Sequence, residues 1–210
     1  LPDNVDTMEG ALIEPLAVGF HAANQGGAHI GQTAVVFGAG CIGLMSMMAL
    51  KAEGVGRVYV VDVMDKRLEK ARELGATVVI NSKKENVLDR INALTDGRGV
   101  DLSIETSGQE ICTRQAVDIS RKGATIVFVG YPASGEETLP VSKILDKELT
   151  FKSVFRYRHI YPMAIEAVAT GKVNVKGVVT NIFDFDDIQN AMDRSVNDKA
   201  DIVKSVVKIS

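Results

Sequence analysis

Thr33-Ala34-Val35-Val36-Phe37-Gly38-Ala39-Gly40-Cys41-Ile42-Gly43 is the stretch that decides the fold, and Asp62, 19 residues after Gly43, completes it. Residues 33–37 are uncharged and apolar or β-branched, with the length of a strand buried on both faces. Residues 38–43 then spell G-x-G-x-x-G, and 41–53 read as a helix. A glycine-rich hexamer alone is a weak signal. Placed after a buried strand, opening a helix, and followed by an acid at the end of the next strand, 57–61, it marks a dinucleotide-binding βαβ unit. Gly38 permits the tight turn, Gly40 lets backbone approach a pyrophosphate, and Gly43 lets helix and strand pack closely. The first turn of the helix supplies free N–H groups and a positive dipole for phosphates. Asp62 is placed to accept both hydroxyls of an adenosine ribose. A 2′-phosphate there would meet a like charge, so NAD is expected over NADP.

Working outward, the alternation continues. Helices are expected at 64–74, 85–95 and 109–120, and strands at 77–80, 100–105, 124–129 and 149–154. Six strands in two βαβαβ halves give an α/β fold, a doubly wound six-stranded parallel sheet of Rossmann type, with ligand at the carboxyl ends of the strands. The ends of the chain fall outside that count. A helical segment at 9–23 is interrupted by Pro15; a helix at 162–170, a strand at 178–183, a helix at 186–196 capped by Asp184 or Asp186, and a strand at 202–209 close the chain.

Composition narrows the classes. The hydrophobic share is 46% and the charged share 24%, as in globular proteins, which excludes wholesale disorder and collagen-like or disulfide-scaffold chains. The 24 basic and 27 acidic residues are interspersed, with a net charge of -3 and a pI near 5.7, which disfavours nucleic acid as a partner. No apolar run approaches the ~20 residues of a membrane span, and no signal peptide is visible. Cys41 and Cys112 are too few for a secreted disulfide framework and have no metal-ligand spacing, so a cytoplasmic location is expected.

Residues 10–21, Gly-Ala-Leu-Ile-Glu-Pro-Leu-Ala-Val-Gly-Phe-His, and 154–157, Val-Phe-Arg-Tyr, lie on either side of the glycine fingerprint. With them, almost the whole chain resembles the C-terminal two-thirds of a zinc-dependent medium-chain dehydrogenase of the sorbitol and xylitol dehydrogenase type. The resemblance implies a discontinuous arrangement: 1–26 as a catalytic-domain segment, 27–154 as the NAD-binding domain, and 155–210 as the return of the catalytic domain. It implies that Glu14 is the glutamate at the catalytic zinc, and that Arg156 and Tyr157 contact the polyol. Cofactor contacts carry over to Gly38, Gly40, Cys41, Ile42, Gly43, Asp62 and Arg67. They carry over also to Val129-Gly130-Tyr131 near the nicotinamide and to Val154-Phe155-Arg156. Cys41 stands where many relatives have proline, a tolerable change at a helix start that lends backbone. The family's other zinc ligands, a Cys, a His and a Glu, would lie before Leu1, so the start at Leu1-Pro2 reads as the inside of a longer enzyme. The resemblance further implies a small-molecule polyol substrate and a homo-oligomer, dimer or tetramer, joined through an edge at 139–154.

Other residues receive plainer readings. Met45, Met47 and Met48 are expected as core packing on the first crossover helix. His21, His29 and His159 are expected to be structural or at the surface. Cys112, early in a helix, has either a lowered thiol pKa or an inert partly buried thiol. Asp184, Asp186 and Asp187 lack calcium-loop spacing and fit a helix start. As for function, the chain alone is expected to bind NAD(H) without turning over polyol. Alternatives are a non-catalytic NAD(H)-sensing module and a zinc-free NADPH-dependent quinone or enone reductase. A methyltransferase domain, which also carries a glycine-rich turn and a later acid, usually lacks the third glycine.

Overall fold

The computed structural model describes residues 1–198 and 200–209. The main sheet contains β1 (Thr33–Phe37), β2 (Arg57–Asp62), β3 (Val78–Asn81), β4 (Val100–Glu105), β5 (Ser120–Phe128) and β6 (Thr150–Ser153). All five pairings are parallel and the order is β3-β2-β1-β4-β5-β6. This is the doubly wound Rossmann topology, with the strand order reversing between β1 and β4. The crossovers are α2 (Cys41–Ala52), α3 (Asp65–Glu73), α4 (Val87–Thr95), α5 (Glu110–Ile119) and α6 (Val141–Lys147).

Strand alternation divides the core. Ala34 and Val36 of β1 face a cluster built with α1 (Thr7–Gly26), α2 and α7 (Tyr161–Ala169), whereas Val35 and Phe37 face one built with α4 and α5. Met45, Met47 and Met48 are buried in the first cluster, as core packing requires.

At the α1–α2 crossing a Cβ on Gly19 would lie 2.6 Å from the Met45 carbonyl, so the two helix backbones meet with no side chain between them. A capping box starts α1: Asp6 accepts the Glu9 N–H and Glu9 accepts the Asp6 N–H, each at 2.9 Å. Lys176 binds Asp6 from the distant end of the chain.

Several expectations are corrected. Pro15 does not interrupt α1, which runs unbroken through it. The carbonyl it leaves without a helical donor belongs to Ala11, an exposed residue that water can reach. Residues 141–147 form a helix that the pattern did not suggest. Neither Asp184 nor Asp186 caps the late helix. A 3₁₀ turn at Phe185–Asp187 intervenes, and α8 (Ile188–Asn197) begins after Asp187 without a side-chain cap. The strand expected at 178–183 begins later, as β7 (Asn181–Asp184), because Val175–Val178 is a 3₁₀ turn; β7 pairs in parallel with β8 (Ser205–Lys208). Among the described residues no helix is long and apolar enough to cross a membrane.

Candidate cofactor site

The turn between β1 and α2 is built by close contact. Gly38 has φ +94° and donates its N–H to the Val61 carbonyl at 2.8 Å. A Cβ on Gly43 would lie 1.8 Å from the Gly38 carbonyl oxygen, so this helix–strand packing admits no side chain. Gly40 differs. A Cβ there would find open space and, within 4 Å, only Nη1 of Arg67 at 3.9 Å. The backbone at Gly40 thus borders open space with a guanidinium at its edge, and Gly40 itself, the residue before α2, offers no side chain to the helix's first N–H groups. Arg67, expected as a cofactor contact, reaches this turn.

Asp62 ends β2 and turns back toward the same loop. One carboxylate oxygen accepts the Ala39 N–H at 2.7 Å; the other accepts the Val63 and Met64 N–H groups at 2.7 and 2.9 Å. Asp62 therefore fastens the glycine turn and opens α3 together. A carboxylate offers about four lone-pair sites, so capacity remains beyond these three bonds.

Across the strand-order reversal, Thr106 donates its hydroxyl to the Phe37 carbonyl at 2.7 Å and its N–H to the same oxygen at 3.0 Å. The neighbouring Glu105 was not singled out in the sequence. It is buried, and its carboxylate accepts the N–H groups of Ser107 and Gly108 and the Ser107 hydroxyl. An acid ending a fully buried strand beside the reversal was the available signal. Val129 and Gly130 follow β5 and donate to the Glu105 carbonyl; Tyr131 is exposed.

The remaining candidates gather at one side. Glu14 is exposed on α1, and its charge adds to effects at Cys41, at the start of α2, and at Tyr161, at the start of α7. Burial raises the Cys41 thiol above its ordinary value, and Glu14 reinforces the shift. Tyr157 shares a hydroxyl–hydroxyl bond of 3.2 Å with Tyr161, their ring centroids 5.0 Å apart. That bond, with burial and the charge of Glu14 behind it, raises Tyr161 to about 12. Val154 is buried and donates to the Phe128 carbonyl, whereas Phe155 is exposed beneath the Arg156 guanidinium at 5.5 Å. Arg156 has φ +59°, a rare conformation for a residue with a side chain. Ile42 lies in the first turn of α2.

Burial raises the Cys112 thiol above its ordinary value, the direction opposite to a lowered thiol pKa. His21 is buried and pushed down by desolvation, then by Arg158. His29 meets the Gly27 carbonyl at 2.7 Å, and His159 is exposed. A tetrahedral zinc site needs at least three protein ligands. Among the described residues no three His, Cys, Asp or Glu side chains come together to hold a metal, so Glu14 alone does not make a zinc site.

Residues 41–170 match the zinc-binding dehydrogenase family. The chain belongs to that family. Over 210 residues it is 46% identical to an uncharacterized zinc-type alcohol dehydrogenase-like protein, YdjJ, of Escherichia coli K12, covering all of this chain and 60% of that protein. It is 38% identical over 207 residues to a sorbitol dehydrogenase of Bacillus subtilis, covering 99% of this chain and 59% of the relative. An E. coli CFT073 short chain alcohol dehydrogenase solved with NADH superposes with a TM-score of 0.92 at 28% identity, over all of this chain and 61% of that one. The chain therefore spans about three-fifths of the length of these relatives.

Proposed function

We propose that this chain is the NAD-binding portion of an oxidoreductase that oxidises a secondary hydroxyl of a sorbitol- or xylitol-like polyol to a ketose. The observation that carries the reading is the open space at Gly40 with Asp62 fastened beside it. Backbone N–H groups at Gly40, Cys41 and Ile42 bind the pyrophosphate, with the Arg67 guanidinium as a counter-charge. The acceptor capacity left on Asp62 takes an adenosine ribose hydroxyl, and its charge excludes a 2′-phosphate. Bound there, NAD supplies the hydride acceptor. Residues 27–154 serve as the cofactor domain, with 1–26 and 155–210 contributing to the substrate side, where Arg156 and Tyr157 orient the polyol.

Among the described residues no three metal-capable side chains come together, so no step is placed on a zinc held by this chain. The 210 residues alone bind NAD(H) and leave a polyol unchanged. Both cysteines are free thiols, as a cytoplasmic protein keeps them. β6 ends the sheet with one side unpaired and suits pairing with a second copy, giving a homo-oligomer. Fluorescence titration with NADH and NADPH tests the assignment: NADH is expected to bind at least about tenfold tighter, and tighter binding of NADPH refutes it.

A further inference from the structure

Glu105 is the last residue of β4 and is only 1% exposed. Every hydrogen-bond partner of its carboxylate among the described residues is neutral. One oxygen accepts the Ser107 N–H at 2.7 Å and the Ser107 hydroxyl, and the Gly108 N–H lies 3.1 and 3.0 Å from the two oxygens. Its backbone carbonyl meanwhile accepts the N–H groups of Val129 at 2.8 Å and Gly130 at 3.0 Å. One residue thus fastens the turn after β4 to the end of β5.

The two segments meet without room for side chains. A Cβ on Gly108 would lie 2.2 Å from the Tyr131 carbonyl oxygen, and one on Gly130 would lie 2.3 Å from the Gly108 nitrogen and 2.7 Å from a Glu105 carboxylate oxygen. Gly130 also forms part of an open pocket of about 230 Å³ with Phe128, Pro132, Glu137 and Leu139.

A carboxylate removed from water without a counter-charge is unfavourable. Burial raises Glu105 above the ordinary carboxyl range, against the opposing bonds from Ser107 and Gly108. The cost falls at an informative place. A dinucleotide lies across the carboxyl ends of a doubly wound sheet with one mononucleotide on each half. Asp62 marks the β1–β3 half for the adenosine, which leaves the β4–β6 half for the nicotinamide. That ring is cationic when oxidised and neutral when reduced.

Resting on the cofactor reading above, we propose that Glu105 positions the nicotinamide half of the groove and sets its preference between oxidation states. Its carboxylate locks the 106–108 turn against β5 and places a negative charge beneath it, favouring the cationic oxidised ring over the neutral reduced one.

Calorimetric titration of NAD, NADH and ADP-ribose into the unmutated chain, Glu105→Gln and Glu105→Asp tests this. ADP-ribose lacks the ring and reports the β1–β3 half alone. In Glu105→Gln the affinity for NAD is expected to fall at least about fivefold further than that for NADH, the fully water-screened lower limit for two unit charges about 4 Å apart. ADP-ribose should change by less than about twofold, within the additivity of separated sites. Glu105→Asp, which keeps the charge, restores most of the preference. Equal losses for NAD and NADH, or none, overturn the proposal and leave the cofactor reading standing. No binding of any of the three to the unmutated chain removes the cofactor reading and this inference with it.

If Glu105→Gln does not fold, the NAD-to-NADH preference of the folded chain is followed as a function of pH, burial having displaced the Glu105 carboxyl upward. Facing the carboxylate are Ser107 and Gly108 of the turn, the Cys112 thiol of α5, which burial keeps neutral, and Glu137 of the pocket wall. With Glu137→Gln as background, the preference for NAD should rise as Glu105 ionises. A flat profile overturns the proposal.

Discussion

The Asp62 carboxylate receives the backbone N–H of Ala39 at 2.7 Å, across 23 residues of sequence. The acid proposed for the ribose is therefore also the anchor of the turn proposed for the phosphates. Removing it disturbs both halves of an adenosine diphosphate site at once.

Asp62→Ala should lower stability by about 2 kcal/mol, as three backbone donors lose a charged acceptor, and should weaken NADH at least tenfold. Asp62→Asn keeps the shape and removes the charge, so its NADH-to-NADPH preference should narrow. Denaturant titration and cofactor fluorescence separate the two effects. An unchanged preference in Asp62→Asn would remove Asp62 from cofactor choice.

Gly40 and Gly43 should respond in opposite ways to the same methyl group. Gly43→Ala drives a Cβ into the Gly38 carbonyl at 1.8 Å and should destabilise the fold by about 3 kcal/mol. Gly40→Ala meets open space, so its thermal midpoint should hold while its affinity for NADH falls. A Gly40→Ala chain that binds NADH normally would show that Gly40 is not where the cofactor's backbone contact lies.

Asp101 braces the opposite end of the sheet. It accepts the Thr33 N–H at 2.8 Å and bonds to Arg98 and Arg121 at 2.6 and 2.5 Å. Burial works against its ionisation, but the Arg121 and Thr33 bonds and the two positive charges outweigh it and hold the carboxyl below its usual range. A depressed folded pKa contributes stability that is present above the unfolded value and is lost as pH falls through the folded one. Asp101→Asn should cost about 1.5–3 kcal/mol at neutral pH, and the difference from the unmutated chain should close in acid. Denaturation midpoints between neutral pH and about pH 2 measure it.

Tyr161 provides a spectroscopic check on the Glu14 side of the molecule. Its pKa of about 12 depends first on the bond to Tyr157. In Tyr157→Phe, Tyr161, one of the three tyrosines that remain of the chain's four, should titrate closer to the ordinary value of 10.0. Absorbance of tyrosinate follows it directly. With the raised value, the unfolded chain loses this proton first, so stability should fall as pH rises from 10.0 toward about 12, and less so in the variant.

How much was legible in the sequence follows from what kind of signal each part leaves. The buried run 33–37 and the glycines after it are local features with steric reasons, and β1, the turn and α2 stand where they were expected. The helix at Val141–Lys147 leaves no such trace: none of its residues is buried, so no apolar period marks it. Pro15 signals a break wherever the unpaired carbonyl would be buried; here that carbonyl belongs to exposed Ala11. Glu105 was missed because an acid ending a strand reads as a solvated one. Ser107 and Gly108 of the following turn, with Gly130 after β5, close over its carboxylate.

The meeting of Gly19 with the Met45 backbone makes the joint between α1 and α2 a bolt and not a hinge. Five residues before Gly19 on the same helix sits Glu14, and α2 begins at the glycine turn. The separation between Glu14 and that turn is thereby fixed in the folded chain. Any opening or closing of a substrate cleft would have to be made by parts that move against this pair, with Glu14 travelling on the cofactor's side.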